Sequence, residues 1–428
     1  MADRVTVIGW DGAPLTPAAH SALRAATLVA GAPRHLALPD VPAHAERVTL
    51  GSVAVAARRV AAHRGTAVVL ADGDPGFFGV VRALRDPVHG LEVEVVPAVS
   101  SVAAAFARAG MPWDDARVVT ANRRTLRRAV NVCRAHSKVA VLTSPGAGPA
   151  EIALLLGPVH RTFVICEALG TDRERVSVLT SDTVPRRQWT DPNVVLVIGG
   201  AGVGREGDGS WLAGADPAAV PEPRGWGLAP AAYGPLAAPP PRLPGTPGGD
   251  FADRPGDSPR LRALALAALG PRTGDLMWDI GTGDGLAAVD AARFGAAVVA
   301  VDRDARACDR ADALARALGV HLHVVRGAAP QVLQDLPEPD IVRVGGGGPR
   351  TLAACADRRP QRIVTHAVTR DGAEVADRVL TGAGYAVECT LLQSVELSTG
   401  DWSERGRAVC FLLTGARPSG SRRAPAHP

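Results

Sequence analysis

Between Ala201 and Asp257, glycine and proline make up 23 of 57 residues, about twice their share of the whole chain. Proline removes backbone donors and fixes φ, and glycine raises the entropic cost of ordering. Neither helix nor central strand is expected across the PEPRG, APPPRLPGTPGG and DRPGD segments. The stretch reads as a linker, residues 201–257, and obliges the chain to fold as separate bodies on either side. At 428 residues the chain is too long for one compact core. Hydrophobic residues at 46% against 21% charged supply enough apolar material for both bodies.

In the first body, residues 1–200, short apolar runs alternate with Ala-rich helical stretches: VTVIG (5–9), TAVVLA (66–71), VEVVPA (93–98) and VVLVIGG (194–200). That alternation predicts an α/β fold with parallel sheets covered by helices. A change of composition near MPWDD (111–115) and a new strand series, KVAVLTSP and RTFVICEAL, divide it into lobes of about 1–113 and 114–200 with a cleft between them. The second body, 258–416, runs through an Ala/Leu helix, LMWDIG, a glycine loop, AAVVAVD, a helix over 304–318, HLHVVRG and DIVRVGGGG. It too is α/β. The tail, 417–428, is expected to be disordered.

Charge and cysteine content exclude several function classes. The net charge is only +4 and Lys138 is the sole lysine, which gives no support for nucleic acid, and RRTLRR (123–128) reads as a solvated helix face. The six cysteines lie at least 21 residues apart without a C-x-x-C, so free thiols in a reducing compartment are expected. His321 and His323 share a strand face but have no third partner in the sequence, so no metal is expected. There is no 18-residue apolar run, and MADRVTVIG enters a strand directly, without a charged-then-apolar leader. A cytoplasmic protein without a membrane partner is expected.

The strand Met277-Trp278-Asp279-Ile280 runs straight into Gly281-Thr282-Gly283-Asp284-Gly285, and a helical stretch follows. Glycine at such a turn permits positive φ and lets a ligand approach bare backbone near a helix N-terminus. Twenty-one residues after Gly281 the next strand ends at Asp302, whose carboxylate suits the two hydroxyls of a ribose. An adenosine-containing ligand follows, either a nicotinamide dinucleotide or S-adenosyl-L-methionine. The loop is G-x-G-x-G, and Asp284 places a carboxylate where a pyrophosphate would sit, which favours the sulfonium ligand.

The second body resembles the decarboxylating methyltransferase module of corrin biosynthesis. LRALALAALGPRTGDLMWDIGTGDG, the strand end at Asp302, VVRGAAPQVLQDLPEPDIVRVGGGG and RIVTHAVT follow that family's segments in order. The first body resembles the tetrapyrrole methylase family, in its carbon-5 corrin branch, through VTVIGWDGAPLTP, VVLADGDPGFFG, VVPAVSSVAAAFARAGMPWDDARVV and DPNVVLVIGG. The resemblance implies a two-lobed tetrapyrrole methylase fold followed by a Rossmann-like class I methyltransferase domain. It implies a SAM-dependent methyltransferase in cobalamin biosynthesis, which methylates precorrin-6B at carbons 5 and 15 and removes the ring-C acetate carboxylate. By the same resemblance, Gly9, Asp72, Gly73, Asp74, Ser100 and Ser101 line the first donor site, with Ala168 and Leu169 further along the cleft. The second donor would touch Gly281, Gly283, Gly285, Asp302 and Ala328. A homo-oligomer is common to both module types, although no interface is legible here.

Read without the family, Ser100-Ser101 is a turn or cap, and Asp72, Gly73, Asp74 and Pro75 form a turn by local chemistry. The chain also departs from the family pattern. DSPRLR lacks a lysine and a glutamate that usually precede the Ala/Leu helix. Leu286 replaces a serine, Asp290 a glutamate and His366 an asparagine, Arg343 lies among apolar residues, and Thr120-Ala121-Asn122-Arg123 replaces an S-H-G-R segment. Arg343 and His366 are candidate catalytic residues, the histidine as proton donor or carboxylate partner, while the plainer reading puts Arg343 at a strand's mouth. Two rivals stand beside the methyltransferase: an NAD-dependent oxidoreductase, and a divergent homologue that binds donor or tetrapyrrole without turnover.

Overall fold

The computed structural model describes residues 4–51, 53–199, 213–214, 227 and 258–418. The linker expected over 201–257, apart from 213–214 and 227, and the tail from 419 onward lie outside the described residues. Two compact units divide the chain. The first comprises Met1–Leu126, Ala140–Leu154 and Arg161–Ile198, and the second Arg127–Val139, Leu155–His160 and Gly199–Pro428.

The first unit opens with a parallel sheet of β1 (Arg4–Trp10), β2 (Leu28–Gly31), β3 (Glu46–Thr49), β4 (Ala67–Asp72) and β5 (Glu92–Val96), ordered β3-β2-β4-β1-β5. The central strands β1, β2 and β4 are largely apolar because both faces are covered, while the edge strands β3 and β5 carry exposed charged residues. Val5, Val7, Ala30 and Val69 belong to one buried cluster, Ile8, Val29, Val68 and Leu70 to the other. Trp10 pairs with Asp72, which brings the carboxyl ends of β1 and β4 together.

A second sheet holds β6 (Arg117–Thr120), β7 (Lys138–Leu142), β8 (Thr162–Glu167), β9 (Arg175–Thr180) and β10 (Asn193–Ile198), in the order β6-β7-β10-β8-β9. Here the expected parallel arrangement gives way, because β10, β8 and β9 pair antiparallel. The connection from Glu167 to Arg175 is too short for a crossover, which needs a dozen residues or more. The helix Ser101–Ala109 follows β5 directly and buries Val102, Ala105 and Phe106 in the core of this second lobe.

The second unit is built on one seven-stranded sheet. Its strands are β11 (Leu276–Ile280), β12 (Ala297–Asp302), β13 (Leu322–Arg326), β14 (Ile341–Val344), β15 (Arg362–Ala367), β16 (Ala386–Leu397) and β17 (Glu404–Ala416). The order is β13-β12-β11-β14-β15-β17-β16, with β13 to β15 parallel and β17 and β16 antiparallel. Strand order reverses at β11, and the crevice beyond the carboxyl ends at such a reversal is where open α/β sheets bind ligands. Among the described residues no helix is long and apolar enough to cross a membrane, and no group of three or more metal-ligating side chains is placed to hold an ion.

Candidate active sites

In the second unit the glycine loop lies at that reversal. Gly281, Gly283 and Gly285 have φ of 70°, 59° and 78°, a region that side chains disfavour. A Cβ at Gly281 would fall 2.8 Å from the Gly346 nitrogen, and one at Gly285 2.6 Å from the Ala311 Cβ. Gly285 also caps the helix Leu286–Arg293. At the end of β12, Asp302 Oδ2 accepts the Gly283 N–H at 2.9 Å and Oδ1 accepts the Asp304 N–H at 3.0 Å. Each oxygen has a second acceptor site left. Ala328 follows β13, and its carbonyl accepts the Val332 N–H at 3.2 Å. These residues gather at the carboxyl ends of β11, β12 and β13.

Asp284 differs from its sequence reading. Arg310 holds its carboxylate, Nε at 2.8 Å, so its charge is compensated and does not bear on the choice of ligand. Two residues that support the loop are absent from the expectations. Asp279, fully buried, accepts from Thr282 Oγ1 and from Arg343, each at 2.7 Å. Its position directly before the glycines was the available signal. Arg343 therefore lies inside the fold, 6% exposed, and not at a strand's mouth. Buried on β14, its guanidinium pairs with Asp279, its register partner on the neighbouring strand.

His366, near the end of β15, lines a cavity of about 480 Å³ with Gly345, Gly346, Pro349, Thr369 and Asp371. Burial, and then the charge of Arg343, push its pKa down to about 4, so the imidazole is neutral at neutral pH. A neutral ring donates or accepts a hydrogen bond, but it is not the cation that pairs with a free carboxylate.

In the first unit, Asp72, Gly73, Asp74, Ser100, Ser101, Ala168 and Leu169 all line one cleft of about 820 Å³ between the two sheets. Gly9 lines an adjoining cavity of about 390 Å³, whose wall shares Trp10, Asp11 and Val99 with the larger one. A Cβ on Gly9 would strike the Gly73 carbonyl at 2.1 Å, so Gly9 lets two loops touch. Ser100 caps its helix, its Oγ accepting the Val102 N–H at 3.3 Å, and Asp74 Oδ1 accepts the Gly76 N–H at 2.8 Å. Ala168 has φ of 48°, a left-handed alanine that is costly without a tertiary reason.

Asp72 is not a free carboxylate. Arg34 and His35 Nε2, the latter at 2.9 Å, both bind it. Burial alone would raise its pKa, but the hydrogen bond from His35, with the charge and hydrogen bond of Arg34, holds it below the usual carboxylate range. His35 Nδ1 accepts the Ala32 N–H at 3.3 Å, which leaves Nε2 to donate to Asp72. Asp11 also escaped the sequence reading, although it lies in the W-D-G that follows β1. Its two oxygens accept the Ala13 N–H at 3.0 Å and the Val99 N–H at 3.1 Å, tying the β1 loop to the loop before Ser100. On the far wall, buried Glu167 binds Arg175 and the Thr190 N–H, and burial pushes the Cys166 thiol up to about 11. The lobes meet at bare backbone: a Cβ on Gly12 would fall 1.7 Å from the Gly170 carbonyl oxygen, and one on Gly170 1.8 Å from that of Asp11.

Family models match both parts of the chain. Residues 10–185 match the model of tetrapyrrole (corrin/porphyrin) methylases, and 258–396 that of the precorrin methyltransferase domain. A Sinorhizobium precorrin-6Y C(5,15)-methyltransferase (decarboxylating) is 32% identical over 385 residues, covering 85% of this chain and 84% of that protein. The chain belongs to the decarboxylating precorrin C5,15-methyltransferase family. Single-activity relatives match parts of it. A Salmonella typhimurium cobalt-precorrin-7 C(5)-methyltransferase is 35% identical over 189 residues, 42% of this chain and 92% of that one. A Pyrobaculum calidifontis protein described as a probable cobalt-precorrin-6B C(15)-methyltransferase (decarboxylating) is 36% identical over 139 residues, 30% of this chain and 71% of that one. Arg343 and His366 line one small cavity of the second unit together with Arg262, from the D-S-P-R-L-R segment, and Asp290 is buried against Arg262 at 3.3 Å.

Proposed function

We propose that the chain methylates a precorrin at carbons 5 and 15 and removes the carboxylate of the ring-C acetate, with one S-adenosylmethionine site in each unit. The observation that carries this reading is Asp302, fixed by the Gly283 N–H at a strand-order reversal with an acceptor site left on each oxygen. Bare backbone at Gly281 and Gly285 leaves a cradle no side chain can fill, which suits a nucleoside. In the first unit, the cleft of about 820 Å³ falls in the range of ligand sites, roughly 300–1,000 Å³.

Bound S-adenosylmethionine supplies a methyl group already attached to its leaving group, so no nucleophilic side chain is required. The chain's part is to hold and align. Asp302 takes the ribose hydroxyls, the glycine loop accommodates the rest of the nucleoside, and Asp279 with Arg343 keeps the loop in place. His366 offers a neutral imidazole to an acetic acid side chain or its proton. The left-handed Ala168 exposes backbone to the first cleft. The chain acts on a tetrapyrrole, and its methyltransferase relatives support a methyl donor over a dinucleotide at the two sites.

Mass spectrometry of the product after incubation of the purified chain with precorrin-6B and donor tests the reading. Gain of two methyl groups with loss of one carbon dioxide is expected. Unchanged substrate, or oxidation dependent on NAD+ or reduction dependent on NADH, would overturn it.

A further inference from the structure

Phe77 and Phe78 remain unexplained by anything above. Both line the first unit's cleft, 36% and 56% exposed, with ring centroids 4.9 Å apart at 64°. Phe78 also has φ of 54°, a conformation that a bulky residue adopts only against steric cost. The turn around it is tight: the Phe77 N–H donates to the Asp74 carbonyl at 3.1 Å, and a Cβ on Gly79 would fall 2.0 Å from the Pro75 carbonyl oxygen. Glycine would relieve the backbone at position 78, and a polar residue would suit the solvent. Folding gains nothing from a phenylalanine there, so its value lies in what the cleft receives.

We propose that Phe77 and Phe78 form the platform on which one face of a flat, conjugated, polycarboxylate ring rests, and that Arg173 takes one of the ring's carboxylates. The inference deepens the function proposed above and rests on it. With the two phenyl rings inclined at 64°, one stacks by its face on a conjugated ring while the other meets the same ring by its edge. Arg34 and Arg175 also line the cleft, but Asp72 and Glu167 hold them. Among the described residues the exposed Arg173 side chain has no ion pair, which leaves its guanidinium for a carboxylate.

The chain, its Phe78→Gly and Phe77→Ala variants and Arg173→Gln are assayed for C5 methylation of precorrin-6B, with Tm and S-adenosylhomocysteine affinity measured alongside. KM for the ring should rise roughly tenfold in each variant, while S-adenosylhomocysteine affinity stays within twofold. Tm of Phe78→Gly should equal or exceed that of the parent, a result that a structural role for the ring would not give. An unchanged KM in Phe78→Gly overturns the platform, as does loss of S-adenosylhomocysteine affinity, which would assign the rings to the donor. A parent chain that neither binds nor methylates the ring would instead overturn the functional reading, and this inference with it.

Discussion

Asp302 serves two ends with one carboxylate, since it fixes the Gly283 N–H and would hold a ribose. Asp302→Ala is therefore expected to lose C15 methylation and decarboxylation by a hundredfold or more while sparing C5. Two hydrogen bonds to a charged group are at stake, each worth about 1.5–3 kcal/mol. Separate quantification of the two methylated positions by carbon NMR checks this, and Asp302→Asn, which keeps one acceptor oxygen, should lie between. Arg343→Met removes the partner of a fully buried aspartate and should destabilise the second unit by roughly 3–5 kcal/mol, read from urea unfolding. Asp279→Asn combined with Arg343→Met should recover most of it. His366 makes a pH prediction. Its folded pKa of about 4 lies below the unfolded value near 6.5, so the unfolded chain binds the proton more readily between them. Its contribution, at most about 3 kcal/mol, is full above pH 6.5 and fades as pH falls toward 4. The urea midpoint of His366→Gln should show a shallower decline over that window. At this scale the glycine spacing and Asp302 were legible in the sequence because they lie on one strand-turn-helix unit and the next strand. Arg34 and His35 were not, because they reach Asp72 from 38 and 37 residues away, across parallel strands.

Among elements, the loops at carboxyl strand ends decide both sites, and they pack backbone against backbone. Gly281→Ala places a methyl in a left-handed position 2.8 Å from the Gly346 nitrogen. A cost of about 1–2 kcal/mol from conformation alone is expected, and more from the forced shift of the β14 loop. Its measure is the thermal midpoint together with S-adenosylhomocysteine affinity, and both should fall. The runs of β1, β4, β11 and β12 were readable as strands because burial on both faces keeps them mainly apolar, with Thr6 and Asp279 as interior exceptions. The antiparallel β8–β9 pair was not, since apolar content does not encode direction and only the shortness of the intervening loop does.

At the scale of the whole molecule, the sites lie in different units, so their occupancies should be independent. Calorimetry is expected to give two S-adenosylhomocysteine per chain and one for Asp302→Ala, with the remaining affinity unchanged. Loss of both together would mean that the units are coupled. The glycine and proline content of 201–257 marks, by composition, a stretch where no core is expected to form. Which faces meet inside each body was beyond it, because that depends on contacts between distant strands.

The Gly12–Gly170 meeting point sets a limit on how the first site can be altered. With hydrogen the only side chain at either position, neither partner can shrink to make room for growth in the other, so no compensating exchange exists. An alanine at one of them would act as a shim, opening the jaw between the sheets by an increment fixed by a single methyl. Such variants would turn the enzyme into its own gauge, reporting how much separation between donor and acceptor the transfer tolerates before it stops.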